Sequence, residues 1–218
     1  MAPMDDSLLR VTEIFYSLQG EARTVGLPTV FVRLTGCPLR CQYCDTSYAF
    51  HGGTRMTLDE VLERVAQFHP RYVCVTGGEP LAQKASLRLL TALCDLGYEV
   101  SLETSGAIDI DGVEPRVSIV MDLKTPGSGE GDRNRFDNVE RLTAKDQVKF
   151  VITNRPDYEW SRDRVREYAL AARCEVLFSP SYEELAARDL ADWILEDRLP
   201  VRLQMQIHKL LWNNAPGH

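Results

Sequence analysis

Short β-branched runs alternate with amphipathic stretches along most of this chain. Alternating or continuous apolar residues predict strands, and apolar residues spaced three and four apart predict helices. Strands are predicted at residues 11–16, 30–34, 72–76, 98–103, 117–123, 147–152, 175–179 and 201–207. Helices are predicted at residues 57–68, 81–96, 157–173 and 183–196. Thr57 and Glu60 form a capping-box pattern at the first helix, and Gly97 ends the second.

Strands that alternate with helices predict a parallel sheet with helices on its outside, either open or closed into a barrel. A full eight-stranded barrel typically needs about 250 residues. The 218 residues supply about six core strands, so we expect one α/β domain over residues 1–218 that is a shortened, partly open barrel. In such folds the active site lies at the carboxyl ends of the strands. The segment 126–135 has three glycines and no apolar residue, which predicts a mobile loop.

Composition and charge narrow the class of protein. Hydrophobic residues make up 44% and charged residues 26%, which is typical of a globular chain. The 25 Lys and Arg against 32 Asp and Glu give a net charge of −7, which argues against a general nucleic-acid binder. No apolar run approaches the roughly 18 residues of a membrane-spanning helix. Residues 1–10 lack the apolar stretch of a signal peptide, so a cytosolic protein is expected.

Three of the six cysteines lie within eight residues, directly after the predicted strand 30–34. Cys37, Cys41 and Cys44 have the spacing C-x3-C-x2-C. Thiolates bind zinc, copper(I) or iron–sulfur clusters. Structural zinc needs four ligands, and no matching pair lies elsewhere; His51 is the nearest candidate. Three cysteines instead suit a [4Fe-4S] cluster with one open iron. A structural zinc loop and a chance run of buried cysteines are the alternatives, and Cys74, Cys94 and Cys174 are predicted to be core residues.

The cysteine loop resembles the C-x3-C-x-aromatic-C motif of the radical S-adenosylmethionine (SAM) superfamily, with Tyr43 at the aromatic position. The resemblance implies a TIM-like (β/α)6 barrel, a [4Fe-4S] cluster and SAM, which is cleaved to a 5′-deoxyadenosyl radical that removes a hydrogen atom from the substrate. Residues 77–80 resemble the GGEP element of the superfamily and residues 103–106 its ETNG element, with Ser in place of Asn. The implied SAM-binding residues are Tyr43, Asp45, Gly77, Gly78, Glu79, Glu103, Ser105, Lys124 and Ser179.

Four further segments are similar to the 7-carboxy-7-deazaguanine synthases of the queuosine pathway. They are LQGE at 18–21, followed by Ala22 where the family has glycine, FxRxxGC at 31–37, CDT at 44–46 and QxHK at 206–209. The resemblance implies conversion of 6-carboxy-5,6,7,8-tetrahydropterin to 7-carboxy-7-deazaguanine, with hydrogen abstraction from C6, ring contraction and loss of ammonia. It also implies a Mg²⁺ held by Thr46, a homodimer, and an electron donor such as flavodoxin or ferredoxin. The implied substrate-binding residues are Leu18, Gln19, Gly20, Glu21, Arg33, Thr76 and His208.

Two other functions stay open at this point. One is a radical SAM enzyme of the glycyl-radical-activating type, which acts on a protein. The other is a non-catalytic iron–sulfur or zinc protein. The LQGE turn and the forked guanidinium of Arg33 favour a small anionic heterocycle. The DLKT segment at 122–125 differs from the SPK segment of other members, so SAM contacts there are left open, and no role is assigned to the tail 211–218.

Overall fold

The computed structural model describes residues 8–213, Ala215 and Gly217. The prediction that residues 1–10 lack a signal peptide therefore concerns mostly residues outside the described ones. The strands are β1 (Leu9–Leu18), β2 (Pro28–Leu34), β3 (Thr54–Met56), β4 (Tyr72–Gly77), β5 (Glu99–Thr104), β6 (Ser118–Asp122), β7 (Gln147–Ile152), β8 (Glu175–Pro180) and β9 (Arg202–Leu203). The helices are α1 (Leu58–Ala66), α2 (Ala85–Asp95), α3 (Arg155–Glu167), α4 (Leu170–Arg173), α5 (Ala187–Glu196) and α6 (Ile207–Trp212).

Within the described part of the chain, the nine strands form one sheet in the order β3-β1-β2-β4-β5-β6-β7-β8-β9. From β2 to β9, each pair of neighbouring strands in this order is parallel. Strand β1 is antiparallel to both of its neighbours, β2 and β3. The six longer parallel strands β2, β4, β5, β6, β7 and β8 confirm the predicted shortened barrel. Because β3 and β9 lie at opposite edges and do not pair, the barrel is open.

The helices cover the outer face of the sheet through two apolar cores. One core joins β6, β7 and β8 to α3 and α5, with Phe150, Phe178 and Tyr158 fully buried at its centre. The other joins β2, β4 and β5 to α1 and α2. The capping box of α1 is confirmed: the Glu60 amide donates to Thr57 Oγ1 at 3.2 Å, and the Thr57 amide donates to Glu60 Oε2 at 2.7 Å. Both interactions satisfy amides that the first turn leaves free.

Two of the predicted helices are shorter than the pattern indicates. The helix predicted at 81–96 begins as a 3-10 turn over Pro80–Ala82, and α2 starts only at Ala85. Gln83 is extended between them because its side-chain amide bonds to the backbone of Arg10 and Thr35. The helix predicted at 183–196 begins at Ala187, because Glu183 has a φ of +65°, outside the helical region.

The prediction of one helix over 157–173 is wrong. The segment folds as α3 and α4, because Ala169 adopts a φ of +47° that turns the chain and buries Leu170 completely. The prediction of a strand over 201–207 is also wrong beyond Leu203. There the chain leaves the sheet and α6 begins at Ile207. The short strand β3 was not predicted at all, since three residues carry too little periodicity.

The segment predicted as a mobile loop, 126–135, is held in place by hydrogen bonds. The Gly127 amide donates to Asp157 Oδ1 at 2.8 Å, and the Lys124 amide donates to Asn134 Oδ1 at 2.8 Å. Ser128 is fully buried, and its hydroxyl donates to the carbonyl of Thr125. Composition alone missed these contacts because their partners lie on a distant helix and on the polar residues of the segment itself.

None of the helices in the described ranges is long and apolar enough to cross a membrane.

Candidate active site

A cavity of about 480 Å³ lies on the inner face of the sheet, towards the carboxyl ends of its parallel strands. Successive side chains of a strand point to opposite faces, so the lining residues mostly alternate along each parallel strand. The strand residues that line the cavity are Phe15 and Leu18 of β1, Phe31 and Arg33 of β2, Thr76 and Gly77 of β4, Glu103 and Thr104 of β5, Val120 and Asp122 of β6, and Lys149 and Val151 of β7. The loops after these strands close over it, as the parallel fold predicts.

The loop after β2 brings Cys37, Cys41 and Cys44 to the cavity wall as free, half-buried thiols. Burial raises the pKa of Cys41 to about 11 and also raises the pKa values of Cys37 and Cys44. Iron binding therefore has to displace protons from these thiols. His51 is exposed and lies outside the cavity wall, so it does not complete a zinc site with them.

The thiol donors of the cavity are the three cysteines of one loop. In the described part of the chain, no group of three or more His, Cys, Asp or Glu side chains is arranged to hold a metal ion. No fourth cysteine lines the cavity: Cys74, Cys94 and Cys174 are buried in the cores, as predicted. The donor set matches a cluster with three protein ligands and one open iron.

The turn after β4 packs directly against the cysteine loop. The Gly78 amide donates to the Leu34 carbonyl at 3.1 Å, and the Glu79 amide donates to the Gly36 carbonyl at 2.8 Å. A Cβ atom at residue 78 would lie 2.2 Å from the Gly36 oxygen, so only glycine fits there. Gly77 and Gly78 thus present bare backbone to the cavity beside the cysteines.

Glu79, predicted to contact SAM directly, lies behind the cavity wall. Its side chain is fully buried, and its carboxylate accepts hydrogen bonds from the Leu81 amide at 3.0 Å, from the Thr104 hydroxyl at 2.9 Å and from the amide of Ser105 at 2.7 Å. The Ser105 hydroxyl donates to the same oxygen as the Ser105 amide. Thr104 and Ser105 do line the cavity, so Glu79 reaches it only through the residues it fixes.

A row of alternating charges crosses the inner face of the sheet. Lys124 Nζ lies 3.0 Å from Asp122 Oδ2, Lys149 Nζ lies 3.6 Å from the same oxygen, and Lys149 Nζ lies 2.6 Å from Glu21 Oε2. Lys124 also stands 6.0 Å from the ring centre of Tyr43 in the cysteine loop. Burial opposes the charge of Lys124, but Asp122, Tyr43 and Cys41 together outweigh it and raise the Lys124 pKa. The row joins the cysteine side of the cavity to the turn that carries Glu21.

The part of the cavity wall formed by β2 carries a guanidinium group close to two aromatic rings. Arg33 Nε donates to Glu13 Oε1 at 2.7 Å, and the guanidinium lies 5.7 Å from the ring centre of Phe15 and 5.9 Å from that of Tyr48. These contacts fix the plane of the guanidinium, and Arg33 lines the cavity. The neighbouring strand residue Thr76 donates its hydroxyl to a carboxylate oxygen of Glu103 at 2.8 Å.

Residues 204–213, which we name the C-terminal strap, close the cavity from the other end of the chain. Gln206 donates to Glu21 Oε1 at 2.5 Å, and the Ile207 amide donates to the Gly20 carbonyl at 3.1 Å. Lys209 Nζ lies 2.8 Å from Asp45 Oδ2 beside the cysteines. The strap therefore contacts both the LQGE turn and the cysteine loop.

The His208 ring of the strap rests on Gly20, where a Cβ atom would lie 1.9 Å from His208 Nδ1. Burial lowers the pKa of His208 despite the nearby carboxylates of Glu21 and Asp45, so the imidazole is neutral at neutral pH.

The structure brings nearly all predicted site residues to this one cavity. The predicted residues that line it are Leu18, Gln19, Gly20, Glu21, Arg33, Cys37, Cys41, Tyr43, Cys44, Asp45, Thr46, Thr76, Gly77, Gly78, Glu103, Ser105, Lys124 and His208. Glu79 and Ser179 do not line it; Ser179 is fully buried, and Ser181, two residues later, reaches the wall instead. Thr46 donates its hydroxyl to Asp45 Oδ1 at 2.8 Å, within the wall.

Sequence reasoning missed several cavity residues. Lys149 carried a usable signal, since it is the only charged residue in the apolar strand β7. Tyr48 carried a weaker signal, as a polar group two residues after the CDT segment, and Lys209 is the last residue of the QxHK segment, in which only His208 was given a role. Ala215 and Gly217 of the tail also reach the wall, whereas Asn214, Pro216 and His218 lie outside the described residues.

Comparison with known proteins agrees with this geometry. Residues 31–120 match the model of the radical SAM superfamily. The chain is 44% identical over 208 residues to the 7-carboxy-7-deazaguanine synthase of Chlorobaculum tepidum, covering 94% of each chain. It is 42% identical over 219 residues to that of Koribacter versatilis, covering 94% of this chain and 97% of the relative. The crystal structure of QueE from Escherichia coli superposes with a TM-score of 0.76 at 22% identity, over 91% of this chain and 94% of the other.

Proposed function

Because the chain belongs to the 7-carboxy-7-deazaguanine synthase family of radical SAM enzymes, we propose that its cavity converts 6-carboxy-5,6,7,8-tetrahydropterin to 7-carboxy-7-deazaguanine with loss of ammonia. The enzyme takes a [4Fe-4S] cluster and SAM, as its family does. One observation carries the proposal: the cysteine loop, the LQGE turn, Arg33 and the strap all line the same cavity. A cluster site and a recognition site for a small anion therefore share one enclosed space.

In this proposal Cys37, Cys41 and Cys44, which line the cavity, would hold the cluster. When bound, the cluster and SAM supply the one-electron chemistry that removes a hydrogen atom from C6 of the substrate. The protein contributes position and the exclusion of water. The close packing of Gly78 on Gly36 fixes the distance between the cysteine loop and the backbone that would face SAM.

On the SAM side, the proposed contacts are the Gly77–Gly78 backbone, Ser105, Asp122 and Lys124. Glu79 fixes Ser105 by accepting both its amide and its hydroxyl hydrogen. Asp122 Oδ1 is buried and, among the described residues, has no hydrogen-bond partner. A buried acceptor without a partner is costly, so a ligand hydroxyl or amine that bonds to Asp122 would remove that cost. The Lys124 ammonium offers a partner for a ligand carboxylate.

On the substrate side, the proposed partner of the pterin carboxylate is Arg33, whose planar guanidinium binds carboxylates in a forked geometry. Glu21 offers carboxylate oxygens to the N–H edge of the pterin, and the neutral His208 imidazole offers a further donor or acceptor. We also propose that Thr46 holds a Mg²⁺ that shares the substrate carboxylate, since a hydroxyl oxygen suits a hard cation that keeps several waters. Gln19 and Thr76 complete the polar wall.

The strap and the aromatic residues exclude water from the reacting atoms. Phe15 and Phe31 stack with ring centres 4.9 Å apart at the wall, and Val120 and Val151 line the floor. A reactive radical survives only where solvent and stray hydrogen donors are kept away. The strap residues that contact both the turn and the cysteine loop supply that closure.

Partners and compartment are part of the same proposal. The family resemblance supports a homodimer and an electron donor such as flavodoxin or ferredoxin. We place the enzyme in the cytoplasm, because cluster cysteines must stay reduced to bind iron. The proposal covers the whole of residues 1–218 as one radical SAM domain, in which the β1–β2 segment binds substrate and the strap completes the site.

The test is anaerobic reconstitution followed by incubation with SAM, a reductant, Mg²⁺ and the carboxypterin. We expect about four iron and four sulfide per chain, and formation of the deazaguanine identified by mass. A cluster-loaded enzyme that cleaves SAM but yields no deazaguanine would refute the substrate while leaving the radical SAM assignment intact. Bound zinc without SAM cleavage would instead support a non-catalytic metal protein. Hydrogen abstraction from a glycine of a protein would support an enzyme of the glycyl-radical-activating type.

A further inference from the structure

Lys149 is a charged residue in the middle of an apolar strand. It is the only charged residue of β7, and its side chain is 12% exposed. Its neighbours on that strand, Val148 and Phe150, are fully buried on the other face. Burying an ammonium group is costly unless opposite charges compensate it. The strand therefore carries a charge whose presence needs a reason other than packing.

The compensation comes from carboxylates on two other elements. Lys149 Nζ lies 2.6 Å from Glu21 Oε2 in the LQGE turn and 3.6 Å from Asp122 Oδ2 on β6. Asp122 is the direct register partner of Lys149 in the parallel pair. Burial lowers the pKa of Lys149, but the fields of Glu21, Asp122 and Glu103 outweigh it and raise that pKa well above its ordinary value. Lys149 is therefore a permanent cation inside the cavity.

Glu21 depends on this cation for its own charge. Glu21 is buried, and burial by itself raises the pKa of a carboxyl group. The charge and hydrogen bond of Lys149, from β7, are the strongest effects that oppose burial, and the net result is a lowered pKa of Glu21. A hydrogen bond from Gln206 of the strap adds to them, and a positive charge on His208 would act in the same direction. With Lys149 removed, the hydrogen bond from Gln206 is the main remaining effect that opposes burial, because the His208 imidazole is neutral at neutral pH.

The state of Glu21 decides what it is able to recognise. An ionised carboxylate only accepts hydrogen bonds, whereas a protonated one also donates. The pterin ring presents an amide N–H and an amino group on one edge, which need acceptors. Gln206 and Lys149 each bond to a different oxygen of Glu21, so together they also fix the plane of the carboxylate.

We propose that Lys149 is a positioning residue for substrate recognition: it holds Glu21 ionised and oriented towards the N–H edge of the pterin. This inference rests on the proposed function. Lys149 acts through Glu21 and needs no contact with the substrate itself.

The test compares Lys149→Met, which keeps most of the side-chain length, with Lys149→Arg, which keeps the charge. The matched control is Lys145→Met, the same change four residues earlier, outside the cavity wall. KM for the carboxypterin and kcat are measured in the reconstituted enzyme from about pH 6 to about pH 9. Iron content and thermal melting of each variant report folding.

For Lys149→Met we expect KM at neutral pH to rise roughly tenfold to hundredfold, the loss expected for one charge-assisted hydrogen bond. The change in kcat should be smaller. The sign of the pH dependence follows from the raised pKa of Glu21: the variant's KM falls as pH rises and Glu21 ionises, relative to the wild-type profile. Lys149→Arg should restore most of the affinity, and Lys145→Met should keep the wild-type profile.

A double variant keeps the test decisive even if Lys149→Met alone does not fold. Glu21→Gln with Lys149→Met removes both members of the pair and leaves no buried charge unpaired, so it should fold. Because Lys149 acts through Glu21, the KM of the double variant should equal that of Glu21→Gln alone. A KM well above that value, or a Lys149→Met enzyme with wild-type KM and pH profile, would overturn the inference while the proposed function stands. A wild-type enzyme that does not turn over the pterin would overturn both.

Discussion

The ion pair between Lys209 and Asp45 joins the C-terminal strap to the cysteine loop, and its removal is predicted to open the strap. Lys209 Nζ lies 2.8 Å from Asp45 Oδ2, with side-chain exposures of 6% and 34%. Breaking a fully buried pair costs about 3–5 kcal/mol, whereas an exposed pair is worth less than about 1 kcal/mol. With one partner buried and the other a third exposed, we expect Lys209→Met to cost about 2 kcal/mol.

Hydrogen exchange of the strap measures this cost locally. The Ile207 amide donates to the Gly20 carbonyl, so it exchanges only when the strap leaves the LQGE turn. A loss of about 2 kcal/mol corresponds to roughly thirtyfold faster exchange. The assay is hydrogen–deuterium exchange with mass spectrometry on peptides that contain Ile207. Leu210→Ala is the matched control, since Leu210 lies on the same helix and is 60% exposed.

The outcome shows whether the Lys209–Asp45 ion pair holds the C-terminal strap in place or contributes nothing to its position. Exchange at Ile207 that is unchanged in Lys209→Met would refute the reasoning, because the strap would then be held by its other contacts alone. Equal acceleration in Leu210→Ala would also refute it, since the effect would then come from helix α6 rather than from the ion pair.

Three further substitutions test other parts of the site. Gly20→Ala places a Cβ atom 1.9 Å from His208 Nδ1 and should raise KM for the pterin at least about tenfold. The control is Gly131→Ala, whose Cβ atom would lie 3.5 Å from its nearest neighbour and should leave KM unchanged. Equal KM values for the two variants would contradict the packing of His208 on Gly20. Cys41→Ala should lose the cluster absorbance and SAM cleavage after reconstitution, and retention of four iron per chain would exclude Cys41 as a ligand. Thr46→Ala should weaken the Mg²⁺ dependence of turnover while iron content stays at the wild-type level; cluster loss would contradict the assigned roles.

Local signals account for what the sequence predicts well. The strands that form the inner face carry period-two or continuous apolar patterns, and the capping box at Thr57 is a four-residue signal. The rule that loops follow the carboxyl ends of parallel strands then placed the cysteine loop and the Gly77–Gly78 turn at one edge. No long-range information was needed for those steps.

Long-range pairing explains what the sequence could not predict. Glu79 turns away from the cavity because its hydrogen-bond partners are Thr104, the last residue of the next strand, and Ser105, which follows it. Lys149 pairs with Glu21, 128 residues earlier in the chain. The strap leaves the strand pattern after Leu203, and Gln206 then bonds to Glu21, 185 residues away. Such contacts are set by tertiary packing and leave no periodic trace.

The most direct test of the central claim follows one hydrogen atom. The account holds that the pterin lies in the same cavity as the cysteine loop, so that its C6 hydrogen is removed by chemistry that begins at SAM. Incubation of the reconstituted enzyme with carboxypterin deuterated at C6 should yield the deazaguanine and place deuterium in recovered SAM or 5′-deoxyadenosine. Deazaguanine formed while the deuterium is released only to solvent would contradict the account.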